Sequence, residues 1–193
     1  MHALAPSDLL SLEAYARERV AFRKRVIAHK KARKLHVGAH VTLLFEDRLT
    51  IQYQVQEILR TEKIFEPEGI AEELEAYNPL IPDGHNLKAT MLIEYDDVEV
   101  RKRELAKLRD IEHEIFIQVE GHAPVRAIAD EDLPRSNEEK TSAVHFLRFE
   151  LDEKMIAAFK RGAEVTIRIA HPAYRSEQRL SAEQRRALAQ DFD

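Results

Sequence analysis

The chain has 193 residues, 44% of them hydrophobic and 34% charged, with a formal net charge of −5. That composition suits a charge-rich domain large enough to bury a core, and no apolar run reaches the roughly 18 residues a membrane-spanning helix requires. Cysteine is absent, which excludes disulfides, a thiol nucleophile, Cys-ligated zinc and a self-held iron–sulfur cluster of the ordinary kind.

Ser7 can cap a helix that starts at Asp8, with Leu9, Leu12, Ala16 and Val20 along one face, and no breaker interrupts it before Gly38. The expectation is helix to about Lys34. Val41 to Phe45 reads as a strand. Arg48 to Lys63 is ambiguous, because Ile51, Tyr53 and Val55 alternate as in a strand, but its length and its Glu-Ile-Leu-Arg ending favour helix. Pro67 opens a helix that Asn78-Pro79 stops, and Pro79, Pro82 and Asp83-Gly84 form a rigid loop. Strands are then expected at Ala89–Tyr95 and Ile115–Val119, with a charged helix at Val98–Arg109 between them. Gly121 turns the chain into Pro124–Ala129, and Asp130–Thr141 is a polar, acidic loop. A strand at Ala143–Leu151, a short helix closed by Gly162, a strand at Glu164–His171 and a capped helix from Ser181 to Gln190 complete the chain. The expected architecture is α+β, with one mixed or mostly antiparallel sheet of about six strands covered by helices. Residues 1–193 read as a single domain, with 1–35 a basic helical segment packed on it or extending from it.

The five glycines, at 38, 69, 84, 121 and 162, are never clustered, so neither a phosphate loop nor a dinucleotide fingerprint is present. The first residues lack the basic start and apolar core of a signal peptide, which makes the cytoplasm the expected compartment. Residues 17–34 carry nine Lys or Arg against one Glu, a formal +8 that leaves −13 on the remainder. Such asymmetry marks an anion-binding or partner-binding segment, or a basic helix on an acidic body. Nucleic acid is disfavoured, because Phe22 is its only aromatic.

Gln52, Gln54 and Gln56 alternate with apolar residues on the helix from Arg48, so some amide must turn inward and find partners. His145 shares a strand face with Leu147 and Phe149, and His171 shares one with Val165, Ile167 and Ile169. Two inward imidazoles are ordinarily satisfied structural groups. The sharper expectation gathers Arg48, Gln52, Gln56, Glu57, His145, His171, Tyr174 and Arg175 into one pocket. There His145, His171 and Glu57 would hold a divalent metal and Arg175 would clamp an anion. No nucleophile–base motif accompanies them.

Five segments carry a family resemblance: Phe-Glu-Asp-Arg-Leu-Thr at 45–50, Gln-Tyr-Gln-Val-Gln-Glu at 52–57, Tyr-Asn-Pro-Leu-Ile-Pro-Asp-Gly at 77–84, Lys-Thr-Ser-Ala-Val-His-Phe-Leu-Arg-Phe-Glu at 140–150 and His-Pro-Ala-Tyr at 171–174. Together they resemble a bacterial family catalogued as domain of unknown function 3501, over essentially the whole chain. The resemblance implies no assigned activity. It does imply a gene neighbourhood containing a rubrerythrin-like di-iron protein and an iron–sulfur oxidoreductase. The function expected from it is an accessory or interaction protein for a redox partner, which would supply any cluster. The alternative is a small-molecule- or metal-dependent enzyme built on His145, His171 and Glu57.

Overall fold

A computed structural model describes residues 2–193. Pro6–Asp8 form a single 3-10 turn that ends at an extended Leu9. Helix α1 therefore starts later than Ser7 suggests, at Leu12, capped by the Ser11 side chain, and it runs to Lys31. The cause is tertiary: the Leu10 N–H and C=O are both bound by the Gln56 amide, so neither is free for the ladder of a helix begun at Asp8. At the other end α1 stops short of Lys34. Strand β1 (Lys34–Val37) turns at Gly38 into β2 (Val41–Glu46), burying Leu35 and Val37. Gly38 has a φ of +75°, and a side chain there would also strike the Tyr174 hydroxyl, so only glycine fits.

Asp47 caps α2 (Arg48–Glu62), settling the ambiguous stretch as helix, and Pro67 opens α3 (Pro67–Tyr77). Next come β3 (Asn86–Ile93), α4 (Val98–Lys107), β4 (Ile115–Val119), β5 (Val125–Arg126), β6 (Ile128–Ala129), β7 (Val144–Glu150), α5 (Glu153–Lys160), β8 (Val165–His171), β9 (Tyr174–Arg179) and α6 (Ala182–Leu188). The α+β class holds, and every strand pair is antiparallel. The strands form two sheets where one was expected, ordered β1-β2-β3-β7-β6 and β5-β4-β8-β9. Two strands, β1 and β9, were not anticipated.

The inner faces share one core. Leu43, Phe45, Leu87, Met91 and Phe149 of the first sheet join Ile115, Ile117, Val165, Ile167 and Ile169 of the second. Each such side chain contributes about 1.5–3 kcal/mol by leaving water. Val125–Ala129 passes from one sheet to the other, pairing first with β4 and then with β7, and the Ala127 N–H donates to Ile115 O at 2.8 Å. At the opposite edge the Tyr174 hydroxyl of β9 donates to Val37 O and accepts from His40 N, tying the second sheet to β1.

Helix α2 packs on the outer face of the first sheet, where Gln54 of α2 and Thr90 of β3 both donate to Glu46, and α1 and α3 pack on α2. Their own apolar contacts form two clusters, Ile51, Val55, Leu59 and Leu74 between α2 and α3, and Tyr15, Phe22 and Val26 between α1 and α2. No helix among the described residues is long and apolar enough to cross a membrane.

Candidate functional site

The residues grouped from the sequence separate into three places. The glutamines of α2 hold the N-terminal segment. Gln56 is fully buried; its Oε1 accepts from Leu10 N at 2.6 Å and its Nε2 donates to Leu10 O at 3.2 Å. Gln52 donates to Asp8 O at 2.7 Å, and Arg48 pairs with the Asp8 carboxylate at 2.7 Å. Asn78 makes the same two-pronged clamp on Leu4. Glu57 is taken up by α1: Arg19 grips it with two bonds of 2.8 Å and the Tyr15 hydroxyl donates at 2.6 Å. The Arg19 guanidinium holds the Glu57 carboxyl below its usual range, while burial pushes the Tyr15 phenol up. Glu57 is thus fully committed between the helices, and it is not a partner of either histidine.

His171 and Tyr174 tie the second sheet together. His171 Nε2 donates to Arg109 O at 2.9 Å and Nδ1 accepts from Ala173 N at 3.2 Å, so both ring nitrogens are spent on backbone. Arg175 is exposed on edge strand β9.

The third place is built around His145, which β7 points into the protein with no exposed surface. Its Nδ1 lies 2.6 Å from Asp130 Oδ2 and 3.9 Å from Glu112 Oε2. Its Nε2 faces Thr141 Oγ1 at 2.8 Å and Ser142 O at 3.1 Å. A carbonyl only accepts, so Nε2 carries hydrogen. Asp130, at a φ of +50°, is held by Phe146 N at 2.9 Å and by Arg135 at 3.3 Å, both on Oδ1. Glu112 belongs to a 3-10 turn before β4 and is 2% exposed, yet it receives one hydrogen bond, from Thr141 at 3.4 Å. Beside the cluster opens a cavity of about 210 Å³, bordered by Asp110, Glu112, His113, Asp130, Arg135 and Ser136. Glu112, Asp130 and His145 form one group able to hold a metal ion, and Asp110, Glu112 and His113 form another. Of the ligand set expected from the sequence, His145 stands beside Glu112 and Asp130, whereas His171 bonds to backbone and Glu57 to Arg19 and Tyr15. The signal for Glu112 and Asp130 was weak, since both acids lie in irregular segments with no periodicity to fix their direction.

A larger groove of about 300 Å³ lies between α3 and the first sheet, floored by Phe146 and Leu80 and lined by Lys88, Arg135 and Arg148. Its arginines are already matched. Arg148 forks onto Glu131 at 2.9 and 2.8 Å, and Arg135 onto Asp132, whose carboxyl this pairing lowers to about 2. Burial depresses Lys88, whose ammonium donates to Pro79 O.

Of the remaining surface, α1 is the most unusual. Val20 is 80% exposed and Ile27 48%. They lie seven residues apart, and helical geometry places both opposite the buried Tyr15, Phe22 and Val26.

No curated protein matches the chain. It is similar to a novel protein of unknown function from Burkholderia pseudomallei, with 51% identity over 100% of both chains; the crystal structure of that protein, at 1.90 Å resolution, gives a TM-score of 0.95. Residues 3–192 match the family model described as Protein of unknown function (DUF3501), and the chain belongs to that family.

Proposed function

We propose that this is an accessory protein that docks the outer face of α1 on an acidic partner protein. One observation carries the reading: Val20 and Ile27 stand in solvent on the face that also carries Arg17, Arg23, Lys24 and Lys31. An apolar pair within a basic rim is the pattern of a partner-binding patch, where the rim steers encounter and the centre supplies burial. Glu18, the one acid in the segment, falls on the other side of the helix by the 100° advance per residue. The family resemblance makes a redox protein the partner to test, an iron–sulfur oxidoreductase or a rubrerythrin-like di-iron protein. The enzyme alternative loses its original basis, since Glu57, His171 and His145 answer to separate partners.

The test is biolayer interferometry of the full chain against both purified redox proteins at about 50 and 300 mM salt. Binding should weaken at the higher salt, because exposed charges are screened there. The Val20→Asp, Lys24→Glu double variant should lose at least about tenfold in affinity with an unchanged melting temperature, since neither residue is buried. No binding to either protein at low salt, or equal binding by the variant, removes the reading. Binding to duplex DNA with a steep salt slope would reassign the helix to nucleic acid.

A further inference from the structure

Glu112 is the observation that the docking reading leaves unexplained. A buried carboxylate ordinarily has a cation or several N–H donors on it, because an uncompensated buried charge is expensive. Glu112 has one long bond from a hydroxyl and no Lys or Arg; the nearest imidazole nitrogens, of His113 and His145, are each 3.9 Å away. Asp130 adds a second carboxylate to the same spot; its Oδ1 takes the Phe146 N–H at 2.9 Å and the Arg135 contact at 3.3 Å, and its Oδ2 faces His145 Nδ1.

We propose that Glu112, Asp130 and His145 bind one first-row divalent cation, Mn2+, Fe2+ or Zn2+. One imidazole nitrogen and two carboxylate oxygens are a donor set for these ions, whereas Mg2+ and Ca2+ favour oxygen alone. The three donor atoms lie within 4.8 Å of one another. Ligands about 2.0–2.2 Å from a common ion sit roughly 3 Å apart. The observed separations from Nδ1, 2.6 Å to Asp130 and 3.9 Å to Glu112, bracket that value, so small side-chain rotations seat an ion.

The surroundings already have the form of a ligand-orienting layer. Nε2 donates outward to Ser142 O and Thr141, which aims Nδ1 at the site, while the Thr141 hydroxyl donates to Glu112. Asp110 and His113 also border the cavity but are exposed and are not among the three proposed ligands. Glu46 is the useful contrast. It has a buried oxygen without a hydrogen bond, Oε2, but its partners are a threonine and a glutamine, and no imidazole or second carboxylate joins it in a metal-holding group.

The experiment is isothermal titration of chelator-treated full-length protein with Mn2+, Zn2+ and Co2+, the last also followed by visible absorption. One equivalent should bind, with a rise in melting temperature. Glu112→Gln and His145→Asn should each weaken binding by at least about tenfold, and Thr141→Val by about 10-fold through the lost orienting bond. Glu112→Gln keeps the shape of the side chain and so separates ligand loss from misfolding, which the melting temperature of the metal-free variant checks. The Asp110→Asn, His113→Ala double variant should bind within a few-fold of wild type. Absence of binding, binding unmoved by Glu112→Gln, or loss confined to the Asp110, His113 variant would each overturn the assignment.

Discussion

Two buried polar networks in this protein look alike in composition and differ in how they are completed. One surrounds Arg33, which links the end of α1 to β2, α2 and the C-terminal turn. Its Nε donates to Phe45 O at 2.9 Å, one terminal nitrogen to Glu46 O at 3.1 Å and to Asp191, and the other to Ala187 O at 3.4 Å beside Asp47 at 3.5 Å. His29 completes it on Asp47. Burial alone would raise the Asp47 carboxyl, but Arg33, the Thr50 N–H and His29 together hold it below its usual value. Here one guanidinium uses all three nitrogens and two carboxylates find cationic partners. The other network, around His145, leaves Glu112 with a single long bond. A closed network explains itself as architecture, and an open one at a cavity points to something that closes it.

That contrast is broken or sharpened by four measurements. Arg33→Met removes the guanidinium from Asp191 and Asp47 and should destabilise by about 3–5 kcal/mol in urea unfolding; a loss under about 1 kcal/mol would show that the two networks are not different in kind. Asp191 gives the pH signature of the closed network. Burial pushes its carboxyl up to about 6 from 3.8, against the pull of Arg33. The folded protein therefore keeps a proton that the unfolded chain has already released between these values. The associated stability is complete below the unfolded pKa and is lost as pH rises through about 6. The advantage of wild type over Asp191→Asn should thus shrink by up to about 3 kcal/mol from pH 4 to pH 8, and an advantage that grows with pH would refute the assignment. Gln56→Ala removes both bonds to Leu10 and should cost about 1–3 kcal/mol; a change below about 0.5 kcal/mol would place the amide outside the fold's support. Glu112→Gln, measured without metal, should change stability by less than about 1 kcal/mol or increase it, because the carboxylate it replaces has no Lys or Arg on it and one long hydrogen bond. A large loss would mean that the second network is as closed as the first.

Much of the helical layer and inner sheet was legible from sequence. Proline at 67, the Asn78-Pro79 stop and the apolar alternation of Ile115–Val119 act locally and need no tertiary partner. The helix at Arg48 was decided by Asp47, whose side chain accepts from Thr50 N. The missed strands have a common cause. Lys-Leu-His-Val at 34–37 continues a basic helix without a breaker, and Tyr-Arg-Ser-Glu-Gln-Arg at 174–179 is a polar edge strand without an apolar face. Both are strands because a neighbour pairs with them. The site divided in the same way. The strand period placed His145 inside, but its acidic companions sit 15 and 33 residues away in chain segments whose direction only the folded corner sets.

The paired amide clamps also say how the molecule comes apart. Leu4 and Leu10 are held by side chains of Asn78 and Gln56 across 74 and 46 residues of chain, not by a strand ladder. A strap fastened at Leu4, Asp8 and Leu10 closes only after α2 and the turn following α3 are in place, since the entropy of those long loops is lost first. It releases without disturbing either sheet. Residues 4–10 therefore form a low-energy opening unit, whose amides exchange with solvent together while those of β3 remain protected, and whose release bares the Leu59 and Leu74 side of the helical layer.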